Sequence, residues 1–274
     1  MKPDSAVLPR EQDFYIPEFS NDIHYEVEVL VKIKKLFAGS FIKWKGDLDA
    51  EIKLGINYQI FKIDNTLKRF VDDHFNPNNA IFKNQEFINT EASYQFKNTD
   101  NKAFPTMGMG IELVTGFTSN LKNSNNFGYL IPSISFNYKL ISSGQLVLAT
   151  KLKSHFTFGD GYEFYQAANI GGNDGLRGFR NQRFTGKNSL YQSSDIRLNL
   201  KNYKTSLIPL NIGVFGGFDY GTVWGQQKTT FKDTKFNTSF GGGIFINAAN
   251  MMSGTLSTFK SDDGLRLAFT LGFS

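Results

Sequence analysis

Four residues have the types and spacing for close electrostatic work: Arg177, Asp195, Arg197 and Asp219. Arg177 lies in a glycine-dense stretch, Gly171-Gly172-Asn173-Asp174-Gly175-Leu176-Arg177-Gly178-Phe179. Glycine tolerates positive φ, so this stretch can fold back sharply. A guanidinium set among Leu176 and Phe179 wants a carboxylate, because its planar fork can engage two oxygens at once. Asp219, in Phe218-Asp219-Tyr220-Gly221, is the preferred partner, and Asp195, in Asp195-Ile196-Arg197, is the second choice. The chemistry on offer is ion pairing.

Bond-making chemistry finds little support. Gly186-Lys187 lacks the spacing of a phosphate-binding loop, and no Gly-x-Ser-x-Gly turn carries a nucleophile. His24, His74 and His155 share no metal-ligand spacing, and Asp72-Asp73-His74 reads as a hydrated loop. Cysteine is absent, which removes disulfides and thiolate sites. The net charge is +5, but Lys and Arg are scattered and interleaved with Asp and Glu. No dense basic run with stacking aromatics points to nucleic acid. The reading is therefore of a non-enzyme with no catalytic, cofactor or metal residues.

The elements that must position these charges are strands. In residues 48–60, Leu48, Ala50, Ile52, Leu54, Ile56, Tyr58 and Ile60 alternate with Asp49, Glu51, Lys53, Gly55, Asn57 and Gln59. This period of two outlasts the usual strand of about 5–6 residues and suits the roughly 9–11 that a tilted strand needs to cross a bilayer. Similar alternation marks 25–33, 88–96, 107–113, 134–140, 146–158, 196–200, 210–219 and 238–246, a weaker run at 254–259, and 265–273. In 210–218 the apolar face is Leu210, Ile212, Val214 and Phe218, which puts Asp219 on the opposite, polar face. Turn clusters such as Asn123-Ser124-Asn125-Asn126 and Ser261-Asp262-Asp263-Gly264 separate the runs. Long and short connections alternate, as in membrane barrels. No stretch approaches 18 uninterrupted apolar residues, while 28 Phe and 11 Tyr supply aromatic surface. Eleven or twelve strands are expected. Residues 1–22 form an extended polar lead, and 23–274 form the barrel domain.

The ordered pair of stretches around Arg177 and Asp219 resembles the BamA/TamA superfamily, the bacterial surface-antigen barrels of outer membranes. The resemblance implies an antiparallel transmembrane β-barrel with a long loop folded into its lumen. Leu176, Arg177, Gly178 and Phe179 would form the lumenal loop motif, and Phe218, Asp219 and Gly221 the inner-wall partner motif. Gly217 stands where the family carries Phe, with Phe218 one residue later. Asp195 and Arg197 match the family's acidic-x-Arg pair, with Asp in place of Glu. Leu267, Phe269, Leu271 and the penultimate Phe273 resemble the C-terminal barrel signal.

Family barrels have sixteen strands with the loop after the eleventh. Here five strands follow the loop and about six precede it, so the chain is expected to be the C-terminal part of such a barrel, incomplete on its N-terminal side and without recognisable POTRA domains. Its start lacks the apolar core of a secretory signal, and a longer parent chain is expected. The implied role is insertion of outer-membrane proteins, or polypeptide translocation, without nucleotide hydrolysis. The implied setting is the outer membrane of a Gram-negative bacterium. Lipid, unfolded client polypeptides and accessory assembly proteins would be the partners. The alternatives are a barrel anchoring a fused periplasmic hydrolase, patatin-like or metallophosphoesterase, and a passive porin, against which the lumenal loop argues.

Overall fold

The computed structural model describes residues 33–46, 49–63, 82–101, 104–204, 209–225, 231, 234–248 and 252–273. The stretch 25–32 and Asp72-Asp73-His74 lie outside the described residues.

Alternating sequence becomes antiparallel wall. The strands are β1 (Ile33–Lys45), β2 (Ala50–Ile63), β3 (Gln85–Thr99), β4 (Gly108–Asn120), β5 (Asn126–Lys139) and β6 (Leu146–Phe158), then β9 (Asn188–Lys204), β10 (Pro209–Trp224), β11 (Asn237–Ala248), β12 (Met252–Ser261) and β13 (Gly264–Phe273). Between β6 and β9 the loop carries its own short hairpin, β7 (Ala168–Ile170) and β8 (Phe184–Gly186). Among the described residues the wall is one sheet of eleven strands in sequence order, six before the loop and five after it. The outer face is apolar, with Ile52, Leu54, Ile56, Val214, Phe218, Ile244 and Leu256 exposed along it. This is the face a barrel turns to lipid, and at 10 to 17 residues the later strands are long enough to cross it. At one rim Phe156, Tyr220, Trp224, Phe231 and Phe236 form a chain of ring contacts at 5.0–6.1 Å, placed as the aromatic girdle of a membrane barrel is.

Connections sort by rim. Among the described residues one rim takes 100–101, 104–107 and 140–145, and the other takes 121–125, 159–187 and 262–263. The second rim thus holds the long segment that enters the barrel.

Two strand findings differ from the sequence pattern. The first described strand is Ile33–Lys45, in a region where alternation is not visible. Also, every neighbouring pair in the eleven-strand order is antiparallel, so β1 and β13 run in the same direction. No backbone register joins them among the described residues. Direct closure would make a parallel ladder, whereas antiparallel closure calls for an odd number of further strands between them.

Candidate functional site

The loop 159–187 is folded before it meets the wall. Its hairpin pairs Ala168 with Gly186 and Ile170 with Phe184. Leu176 N–H donates to the Gly171 carbonyl at 3.0 Å, and Gly172 N–H donates to the Arg180 carbonyl at 3.0 Å. Gly175 has φ of +101° and lies flat on the Tyr191 ring, where a Cβ would sit 2.2 Å from Cγ. Both facts exclude any other residue there. Ile170, Leu176, Phe179 and Tyr191 are buried together, with Phe184 and Val223 against them. This apolar cluster seats the loop on β9 and β10 and leaves Arg177 aimed at the inner wall.

The guanidinium meets two carboxylates. Arg177 Nη2 is 2.6 Å from Asp219 Oδ1, and its Nε donates to both Asp219 oxygens at 3.1 Å. Its Nη1 donates to Asp195 Oδ1 at 2.7 Å, and its backbone N–H to Asp219 Oδ2 at 3.0 Å. The Phe259 ring lies 4.1 Å below the guanidinium carbon, a cation–π contact. Asp219 is fully buried, and the hydroxyls of Ser193 and Ser239 also donate to it, at 2.8 and 2.9 Å. Burial alone would lower the pKa of Arg177; the paired Asp219 and Asp195 outweigh it, and the net shift is upward. The group therefore stays charged.

Strand register explains why these residues converge. Gly217 is opposite Asp195, Asp219 is opposite Ser193 on one side and Ser239 on the other, and Phe215 is opposite Arg197. All sit on one inner face. A Cβ on Gly217 would fall 2.6 Å from both Arg177 Nη2 and Asp195 Oδ1. A phenylalanine there is incompatible with this packing, so Phe218 points outward and half-exposed instead. Gly221, another member of the wall motif, faces Leu190, Tyr191 and Ile170, where a Cβ would be within 3.1 Å of each.

The loop is tied down beyond the clamp. Gly178 N–H donates to Ser239 Oγ at 3.2 Å, and the Ser261 hydroxyl donates to the Gly178 carbonyl at 2.7 Å. Arg266 of β13 donates to the Phe179 carbonyl and, at 3.1 Å, to Asn181 Oδ1. Arg183 pairs with Asp263 at 2.5 Å on the β12–β13 turn. Asp174 accepts from Lys153 at 3.1 Å and from the Tyr191 hydroxyl at 3.2 Å. On the opposite side Tyr165 stacks on Phe61 of β2, ring centroids 4.6 Å apart. The loop thus reaches towards both ends of the sheet.

The structure brings Leu176, Arg177, Gly178, Phe179, Asp195, Asp219 and Gly221 together at the clamp. Arg197 is adjacent, 3.6 Å from Asp195 Oδ2 and 4.4 Å from the Phe104 ring centroid. Leu267, Phe269 and Leu271 lie apart, on the exposed outer face of β13; Phe273 ends that strand, and its side chain is outside the described ones. Ser193, Ser239, Ser261 and Arg266 are additions. Their only signal in the sequence is parity, since each falls on the inner face of its strand.

A model of the Omp85 superfamily domain matches residues 29–274. Among solved structures, the crystal structure of BamA from Haemophilus ducreyi lacking POTRA domains 1-3 is similar in fold, with a TM-score of 0.64 at 18% identity, over 90% of this chain and 55% of that one. The chain thus spans little more than half the length of that structure. Among curated proteins none matches the sequence.

Proposed function

The chain belongs to the Omp85 superfamily, and from that membership we propose that it is the barrel wall of a device that inserts proteins into, or passes polypeptide across, a Gram-negative outer membrane. It works without nucleotide hydrolysis and without covalent catalysis. Lipid surrounds its outer face, and unfolded polypeptides and accessory assembly proteins are its partners.

One observation carries this reading: the loop is clamped to the strands next to β13, whose outer edge pairs with no strand among the described residues. Arg177 binds Asp219 and Asp195, while Arg266 and Asp263 tie the same loop to β13 and its turn. The outer face of β13 is unusually bare, with Leu265 75% and Leu267 73% exposed. Unpaired strand edges in hydrocarbon are costly, so such an edge accepts another strand. Holding the loop against the inner wall keeps the last strands in shape while that edge stays open to a client.

Vesicles holding the folded chain test this, against empty vesicles of the same lipid. The chain should raise the rate at which an unfolded barrel protein gains heat-modifiable gel mobility, and Asp219→Ala should abolish the gain. Equal rates with and without the chain would contradict the reading.

A further inference from the structure

The charges beside the clamp do not balance. A cavity of about 440 Å³ opens on the inner wall between the loop and β9 to β13, its charged lining being Arg177, Arg197, Arg266 and one carboxylate, Asp195, with the Thr255 and Ser257 hydroxyls beside them. Phe104 and Phe245, stacked with centroids 4.5 Å apart, form part of its apolar side. Arg197 Nη1 is shut off from solvent and has no hydrogen-bond partner among the described residues. Its Nη2 reaches Asp195 only at 3.6 Å, and the other oxygen of Asp195 is taken by Arg177 at 2.7 Å. Asp219 is committed to Arg177 and two serine hydroxyls. Three guanidinium groups, Arg177, Arg197 and Arg266, therefore face two carboxylates, Asp195 and Asp219, an excess of one positive charge.

A largely buried cation with an unmade donor is costly, and buried polar groups are nearly always paired. Phe104 covers one face of the Arg197 guanidinium, which leaves its in-plane donors to make any further bond. Hydroxyls from β12 and β13 stand in the same cavity.

We infer that this cavity is an anion-binding site, with Arg197 and Arg266 as its cationic donors and an oxyanion, carboxylate or phosphate, as its ligand. One negative charge restores neutrality, and two oxygens suit the guanidinium fork. The volume leaves room for an apolar body beside Phe104 and Phe245. The site is independent of the insertion role and stands or falls separately from it.

The test uses the refolded chain in detergent and follows its unfolding midpoint and binding heat with inorganic phosphate, benzoate or chloride at matched ionic strength. Phosphate or benzoate should raise the midpoint where chloride does not. Arg197→Gln should weaken binding about tenfold or more, the loss of one hydrogen bond to a charged group, while its ligand-free midpoint does not fall. A response to phosphate alone assigns a phosphate ligand, and a response to benzoate alone a carboxylate. Should Arg197→Gln fail to fold, Arg197→Lys replaces it, with weaker binding expected from loss of the fork. Equal responses to all three anions, or undiminished binding in the variant that folds, would overturn the site.

Discussion

Two flanks of the same sheet treat their inner faces differently. On β1 the inward Phe37 and Phe41 are 58% and 59% exposed, whereas on β11 and β12 the inward Phe245 and Phe259 are 0% and 1% exposed. The strand geometry is alike and so is the residue type. What differs is what stands in front of them: Arg177 of the loop lies on Phe259, and Phe104, just before β4, lies on Phe245, while the mid-part of β1 is left bare. Where its Tyr165 does reach the N-terminal flank, Phe61 and Phe87 are buried. A single sheet curls but does not desolvate its own concave face. In this chain the loop supplies the second layer, and the ion pairs that hold it become buried in consequence.

If this contrast is right, substitutions on the two flanks should differ in a fixed order. Asp219→Ala should cost the most, about 3–5 kcal/mol, because it strands Arg177 with half of its partners gone. The urea unfolding midpoint in detergent reads it, and a cost under about 1 kcal/mol would mean the pair is hydrated. Gly217→Ala comes next, at about 1–3 kcal/mol, since the new methyl collides with Arg177, Asp195 and Phe259 at once. A variant as stable as the parent would show that the loop can lift away from β10. Arg183→Ala removes a pair at the rim and should cost under about 1 kcal/mol. A loss equal to that of Asp219→Ala would shift the anchor from the clamp to the rim. Phe41→Ala, on the bare flank, should stay within about 0.5 kcal/mol. A larger loss would show that something covers β1.

Lipid made much of the wall legible. An outward face must be apolar at every second residue, and β2, β5 and β10 display that rule along most of their length. β1 does not. Its outer face mixes Leu36, Ile42 and Trp44 with Ala38 and Ser40, and its inner face mixes Phe37 and Phe41 with Gly39 and Lys43. Both faces are mixed, so the period of two vanishes although the strand forms. The hairpin of β7 and β8 is three residues a side and leaves no period at all.

At the clamp, Arg177 and Asp219 could be matched by charge and by the glycines around them. That Arg177 would hold Asp195 at the same time could not, because it depends on Gly217 facing Asp195 across the ladder. Ser193 and Ser239 are silent for a related reason. A serine hydroxyl has meaning only once register puts it beside a buried carboxylate.

The central claim is that Arg177 and Asp219 act as one buried unit that fastens the loop to the wall. A double-mutant cycle tests it directly, comparing the parent with Arg177→Ala, Asp219→Ala and the double variant by urea unfolding midpoint and heat-modifiable gel mobility in detergent. Each single change leaves a charge without its partner, and the double change removes both. The account predicts that the double variant is no less stable than the worse single variant. Costs that simply add would contradict it.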